Sequence, residues 1–259
     1  NRMHVTPLTF LVVCPLVFLS GIVDAIAGGG ALISIPAYLF AGLPMHSVIG
    51  TNKLSASMGS ILAAYRYWKN GFVHWAIAAP CAVLALIGSA VGANISLLLN
   101  TRILKIILLV LLPLITWYVL HKKEIDYHGE PRSPRVTLAL SLLLALSIGV
   151  YDGMYGPGTG TFLMLLLTGL VHTSLNEAAG TTKIIALTTN ITSLVVFLRG
   201  GVVLLALGLA AGVFSIAGNY IGTWLFTRRG ASFVRPIILV VLILFVLRLC
   251  GELFFGMFG

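Results

Sequence analysis

Eight stretches of this chain read as membrane crossings, and that requirement narrows the folds open to it more than any other feature. They fall at about 7–27, 47–68, 72–99, 103–120, 136–150, 177–198, 202–226 and 233–254. A helix of about 20 apolar residues covers the ~30 Å of hydrocarbon in a bilayer. Two further apolar stretches, about 31–41 and 162–171, are only half that long. Each follows a glycine cluster and precedes a turn. The chain is 59% hydrophobic and 9% charged, with mean hydropathy +1.06. Soluble domains carry roughly 25% charged residues, so the solvent for this surface is lipid. The fold expected is all-α and polytopic. The chain opens at an asparagine without a signal-peptide pattern ahead of a polar domain, so every apolar segment is read as part of the working protein.

The remaining composition excludes several classes. Cys14, Cys81 and Cys250 lie singly in apolar runs, without metal-ligand spacing. His46, His74 and His172 stand alone near segment ends and read as loop histidines; no metal and no cofactor is expected. The net charge is +9, but the basic residues are scattered with no patch or stacking platform, which argues against nucleic acid.

The one clearly polar segment, 121–135, divides the chain nearly in half and prompts a search for a repeat. Asp24-Ala25-Ile26-Ala27-Gly28-Gly29-Gly30 aligns with Asp152-Gly153-Met154-Tyr155-Gly156-Pro157-Gly158-Thr159-Gly160, a shift of 128 at the aspartates. Gly50-Thr51-Asn52-Lys53 aligns with Gly180-Thr181-Thr182-Lys183 at a shift of 130. The second shift also maps Gly71 onto Gly201, Gly88 onto Gly218, Gly92 onto Gly222 and Lys105 onto Arg235. A two-residue insertion in the second glycine loop reconciles them. The domains expected are therefore a first transmembrane repeat (1–120), a linker (121–135) and a second repeat (136–259). Each repeat reads as a glycine-broken hairpin followed by three spans. The hairpin returns the chain to its starting side and three spans leave it on the other, so the second repeat starts inverted. Arg66, Lys69, Lys122, Lys123, Arg132, Arg135, Arg228, Arg229 and Arg235 would share the linker's face. Arg2, Arg102, Lys105, Arg199 and Arg248 would lie opposite. The bias places the linker in the cytoplasm.

Three paired features are candidates for function. Gly28, Gly29 and Gly30, with Gly156, Gly158 and Gly160, would break membrane helices, and an unwound stretch in a bilayer has to line protein or a polar cavity. The short helices beginning near Ala31 and Thr161 would then aim N–H groups and the positive ends of their dipoles into that cavity, a seat for an anion. Close helix crossing is the plainer use of the same glycines. Lys53 and Lys183 each lie some turns inside an apolar segment, where an ammonium needs a cavity or a partner; snorkelling to the interface is the alternative. Thr51, Asn52, Thr181 and Thr182 place donors beside them. Ser55 and Asn190 extend the polar lining or bond to backbone. Asp24 and Asp152 precede the glycine breaks and could pair with the lysines, orient loop N–H groups, or carry a coupling proton. Glu177 has no counterpart at Ser47 and reads as a helix-start residue. Arg66, Tyr67, Trp68 and Lys69 read as an interfacial belt.

At these residues the chain resembles the sulfite exporter TauE/SafE family of membrane permeases. The resemblance is carried by Gly28-Gly29-Gly30-Ala31-Leu32-Ile33-Ser34-Ile35-Pro36 with Gly50-Thr51-Asn52-Lys53-Leu54, and by the echo at Gly156–Gly160 and Gly180–Lys183. It implies transport of sulfur-containing anions, such as sulfite, sulfoacetate or toluenesulfonate, across the bacterial inner membrane. Thr182 replaces Asn52 in the second half, and Pro157 and Thr159 enter its glycine loop, so the half-sites differ. An asymmetric organic sulfonate is then at least as reasonable a cargo as sulfite. Tyr38, Tyr65, Tyr151 and Tyr155 offer aromatic surface for one. The expected site comprises Gly28, Gly29, Gly30, Thr51, Asn52, Lys53, Gly158, Gly160, Thr161, Thr181, Thr182 and Lys183, holding a small anion by alternating access. The expected partners are that anion, membrane lipid and a coupling proton or ion. A passive anion channel is the alternative. An intramembrane enzyme would need a nucleophile and base, or metal ligands, beside Asp24 and Asp152, and no His or Cys accompanies them.

Overall fold

In the computed structural model, residues 6–99 and 132–229 are described, with the single positions Pro236 and Val240. The expected crossings at 103–120 and 233–254, and most of the linker, lie outside the described residues. What is described is helical: α1 (Pro7–Ala27), α2 (Ala31–Phe40), α3 (Met45–Lys69), α4 (Trp75–Leu98), α5 (Pro134–Met154), α6 (Thr159–Leu166), α7 (Leu175–Arg199) and α8 (Leu205–Arg229). α6 begins two residues earlier than expected and runs on as a π-helical turn, Leu167–Val171. α1, α4, α5, α7 and α8 are each long and apolar enough to span a bilayer. α3 is as long as α7, 25 residues, but buries Ser47, Thr51, Asn52, Lys53, Ser55, Ser57 and Ser60. Its polar content is the first sign that it serves an interior rather than lipid.

The packing is exchange-symmetric. α1 lies along α8 and α5 along α4; α3 packs on α8 and α7 on α4; α3 and α7 meet each other. Each contact recurs when the halves are interchanged. Small residues make the long pairings possible, because helices in lipid gain from close backbone approach. A side chain at Gly88 or Gly92 would strike the Leu146 or Val150 carbonyl of α5. At their counterparts Gly218 and Gly222 it would strike the Phe18 or Ile22 carbonyl of α1. The glycine spacing shared by the two halves of the sequence is thus also a spacing of helix contacts.

The helix ends sort the charges. Asn70 donates to Thr227 at 3.1 Å, Arg66 lies over the Tyr220 ring, and His74, Arg132, His172 and Glu177 line one hollow. The starts of α4, α5 and α7 and the ends of α3 and α8 therefore share a face. At the other, His46 reaches the Ser96 carbonyl at 3.1 Å and Gly200 abuts Leu97. Arg66, Lys69, Arg132, Arg228 and Arg229 fall on the first face and Arg199 on the second, as the sequence divided them. One member of the expected belt behaves otherwise. Tyr67 is buried at 1% exposure, its hydroxyl donating to the Ala25 carbonyl at 2.8 Å, whereas Trp68 stays exposed beside Trp75.

Glu177 does start a helix. The Ser174 hydroxyl accepts from the Glu177 N–H at 3.3 Å, and the Glu177 carboxylate reaches back to Ser174 N–H at 3.4 Å. This capping box satisfies two otherwise open donors of α7. Ser174→Ala is expected to lower stability by about 1 kcal/mol, read as a small drop in the melting temperature of the detergent-solubilised protein.

Candidate functional site

The two glycine breaks touch. Gly28 ends α1 in the left-handed region at φ 71°. A Cβ there would lie 2.6 Å from the Thr161 nitrogen, and one on Gly160 would lie 2.6 Å from the Gly28 Cα. Main chain meets main chain, with no room for a side chain between. The Thr161 hydroxyl ties the crossing by donating to the Ala27 carbonyl at 2.6 Å. Because α2 and α6 both fold back from this point, the aspartates just upstream are carried to the lysines of the other half.

The result is a pair of crossed ion pairs. Lys53 of α3 meets Asp152 of α5 at 3.0 Å, and Lys183 of α7 meets Asp24 of α1 at 2.9 Å. Both lysines are buried, at 2% and 1% exposure. Neither snorkels, which would need a path to the interface. The Lys53 ammonium also donates to the Asn190 amide oxygen at 3.1 Å, and Asn190 in turn donates to Ser60 at 3.2 Å. The Lys183 ammonium also donates to the Asp24 main-chain carbonyl, which accepts the Gly28 N–H at 2.8 Å.

Between the pairs lies a cavity of about 50 Å³. A single water needs ~10–15 Å³ by this kind of measure, so the space suits a guest of about four heavy atoms. Gly28, Gly30, Asn52, Lys53 and Gly160 line it, as do Asp24, Asp152, Ser55, Asn190 and Tyr155. Ala31 of α2 and Thr159 of α6 also face it, so both short helices begin at its wall. Alongside Lys53, the Ser34 hydroxyl donates to the Asn52 amide oxygen at 2.6 Å, and Tyr38 donates to Ser55 at 2.9 Å.

The other sequence-selected residues stand behind this wall. Thr51 accepts the Leu204 N–H at 3.0 Å, anchoring the approach to α8. Gly158 lies under the Phe162 ring, and Gly29 receives the Leu32 N–H at 3.1 Å. Thr161 holds the crossing, Thr181 and Thr182 are buried in α7, and Lys183 reaches Asp24 without lining the cavity. Gly180 serves packing, its Cα facing the Phe72 carbonyl. Tyr151 donates to the Pro157 carbonyl at 2.7 Å, and Tyr65 is exposed.

Four polar lining residues were not selected from sequence as site residues: Ser20, Ser34, Ser215 and Asn219. Asn219 is 1% exposed, and its Oδ1 has no partner among the described residues. An asparagine inside the apolar run 202–226 was the available signal, since an amide at that depth is costly unless it is bonded. Among the described residues no three His, Cys, Asp or Glu side chains gather as for a metal. The ionic groups at the site are two lysines and two aspartates, so their charges cancel. The arrangement surrounds a small cavity with hydroxyl, amide and balanced ionic groups.

Comparison with known proteins agrees with this. The family model described as sulfite exporter TauE/SafE matches residues 13–249. A probable membrane transporter protein of Sinorhizobium sp, ORF9, is 35% identical over 239 residues, covering 91% of this chain and 90% of that protein. The probable membrane transporter YfcA of Escherichia coli K12 is 32% identical over 92% of this chain and 88% of its own length. A Haemophilus influenzae relative, also named a probable membrane transporter, is 32% identical over 86% of this chain and 88% of its own length. None of the solved structures gives a significant match. A polytopic helical chain with a charge-neutral interior cavity, matched along nearly its whole length, belongs to the sulfite exporter TauE/SafE family of membrane transporters.

Proposed function

We propose that this transporter is a permease for a small sulfur-containing anion, held in the cavity between the glycine hairpins and passed across the inner membrane by alternating access. The observation that carries the reading is the Lys53 ammonium, buried at 2% exposure yet lining a polar cavity where two short helices begin. An ammonium is retained at such depth for a pathway or a partner. Amides and hydroxyls nearby suit sulfur oxyanions, whose oxygens accept. The family description names sulfite; the cavity volume of about 50 Å³ suits sulfite or a sulfonate head group. An organosulfonate such as sulfoacetate or toluenesulfonate would require the halves to part further. The exchange-symmetric packing supports two inverted repeats, and the basic face supports a cytoplasmic linker. A narrow cavity at a main-chain crossing favours alternating access over a passive channel.

Purified protein in detergent should be melted with sulfite, sulfoacetate, taurine and toluenesulfonate, then reconstituted for counterflow. At 100-fold over Kd a true ligand stabilises by about 2.7 kcal/mol, a readily measured rise in Tm. Saturable counterflow of the same anion is expected. If none of these anions raises Tm or exchanges, the reading fails; flux without saturation or counterflow would instead mark a channel.

A further inference from the structure

The two ion pairs are built differently. Lys53 and Asp152 both line the cavity, whereas of the second pair only Asp24 does. Lys183 is gripped at two points by one residue, the Asp24 carboxylate at 2.9 Å and the Asp24 carbonyl that also closes the end of α1. Lys53 is shared between Asp152 at 3.0 Å and a neutral acceptor, Asn190, at 3.1 Å. The difference is written in the sequence. Ser20, Ser34 and Ser55 line the cavity, and the repeat puts Ile148, Met164 and Ile185 at their counterparts. These three serines are therefore not repeated in the second half, and among the described residues only the Lys53–Asp152 pair has both partners on the cavity.

Charge balance then constrains loading. Empty, the site sums to zero across Lys53, Lys183, Asp24 and Asp152. An anion arriving alone would leave an uncompensated negative charge among buried groups, which is strongly disfavoured. It would also compete with a carboxylate already seated on Lys53, the one lysine among the described residues that lines the cavity. Resting on the permease reading above, we infer that Lys53–Asp152 is an exchangeable pair and Lys183–Asp24 a fixed brace. The anion takes the place of Asp152 on the Lys53 ammonium. The displaced carboxylate accepts one proton from bulk hydronium, forming an O–H bond and releasing water. The loaded site is again neutral, and each monovalent anion travels with one proton. The charged and titratable groups facing Asp152 are Lys53 of α3, its sequence neighbours Tyr151 and Tyr155, and the Asp24–Lys183 pair across the cavity. α7 presents the neutral Asn190, and α4 the neutral Ser89 packed on Gly153.

Methanesulfonate is a suitable probe because it is small and has no proton to exchange near neutrality. Added to the full chain in weakly buffered detergent with a pH dye, it should draw about one proton per anion bound, and its Kd should rise about tenfold per pH unit. In proteoliposomes an imposed anion gradient should drag protons with it. Asp152→Asn leaves Lys53 unopposed, so binding should become independent of pH and counterflow should proceed without proton movement. Methanesulfonate binding to the unmodified protein with no proton uptake would overturn the inference, as would an Asp152→Asn variant that still takes up the proton. Counterflow itself tests the permease reading, so the two fail separately.

Discussion

Gly160→Ala is expected to unfold most of the protein or prevent its insertion. The new Cβ would lie 2.6 Å from the Gly28 Cα and 2.8 Å from its carbonyl oxygen. Overpacking in a core costs ~1–3 kcal/mol when side chains can re-rotamer. Here the obstacle is main chain, so about 3 kcal/mol or more is expected, together with displacement of both aspartates from their lysines. Gly28→Ala should be worse, because it adds the strain of a left-handed backbone, ~1–2 kcal/mol, at φ 71°. Gly42→Ala isolates that strain: its φ is 77° and a Cβ there meets nothing within 4 Å. Melting temperatures should fall in the order Gly42→Ala, Gly160→Ala, Gly28→Ala, the first losing about 1 kcal/mol. A Gly160→Ala protein that melts like the parent would mean the hairpins do not touch as described.

Lys53→Ala should abolish anion binding and destabilise at once. It strands the Asp152 carboxylate, whose side chain is 7% exposed. Breaking a buried pair by removing one partner costs ~3–5 kcal/mol. Lys183→Ala strands Asp24, which is 28% exposed, and so should cost less. The informative variant is the double change Lys53→Met with Asp152→Leu. Apolar replacement of both partners is often near neutral for stability, so Tm should return close to that of the parent while counterflow stays absent. Recovered Tm with recovered flux would make the pair structural and remove Lys53 from the site.

Much of this was readable in the sequence, because membranes penalise charges and helix breaks locally, whatever the fold around them. Lys53, Lys183, Asp24, Asp152 and both glycine runs stand out on that ground alone, and the structure buries the lysines and brings the glycines into contact. What could not be read was the crossing. Which aspartate serves which lysine depends on α2 and α6 folding back past one another, a long-range fact with no local signature. The serines of the cavity were hidden for another reason. In an apolar helix a hydroxyl commonly bonds its own preceding turn, as Ser57 does with the Lys53 carbonyl at 2.6 Å and Thr223 with the Asn219 carbonyl at 2.8 Å. Ser20, Ser34 and Ser215 look no different until the cavity is seen. The glycine-threonine motifs divide in a related way. Gly180 and Thr51 carry the matched pattern and meet Phe72 and the approach to α8, because a residue one helical step from a buried lysine faces a different neighbour.

The Gly28–Gly160 junction has a mechanical implication. Two main-chain segments in van der Waals contact cannot be squeezed or rearranged as a cluster of rotamers can. Under the alternating access proposed above, the halves would turn about that point like a lever on a fulcrum, with the tilt that loosens one side tightening the opposite one. A hinge made of bare backbone would let the molecule swing without ever opening a leak at its centre.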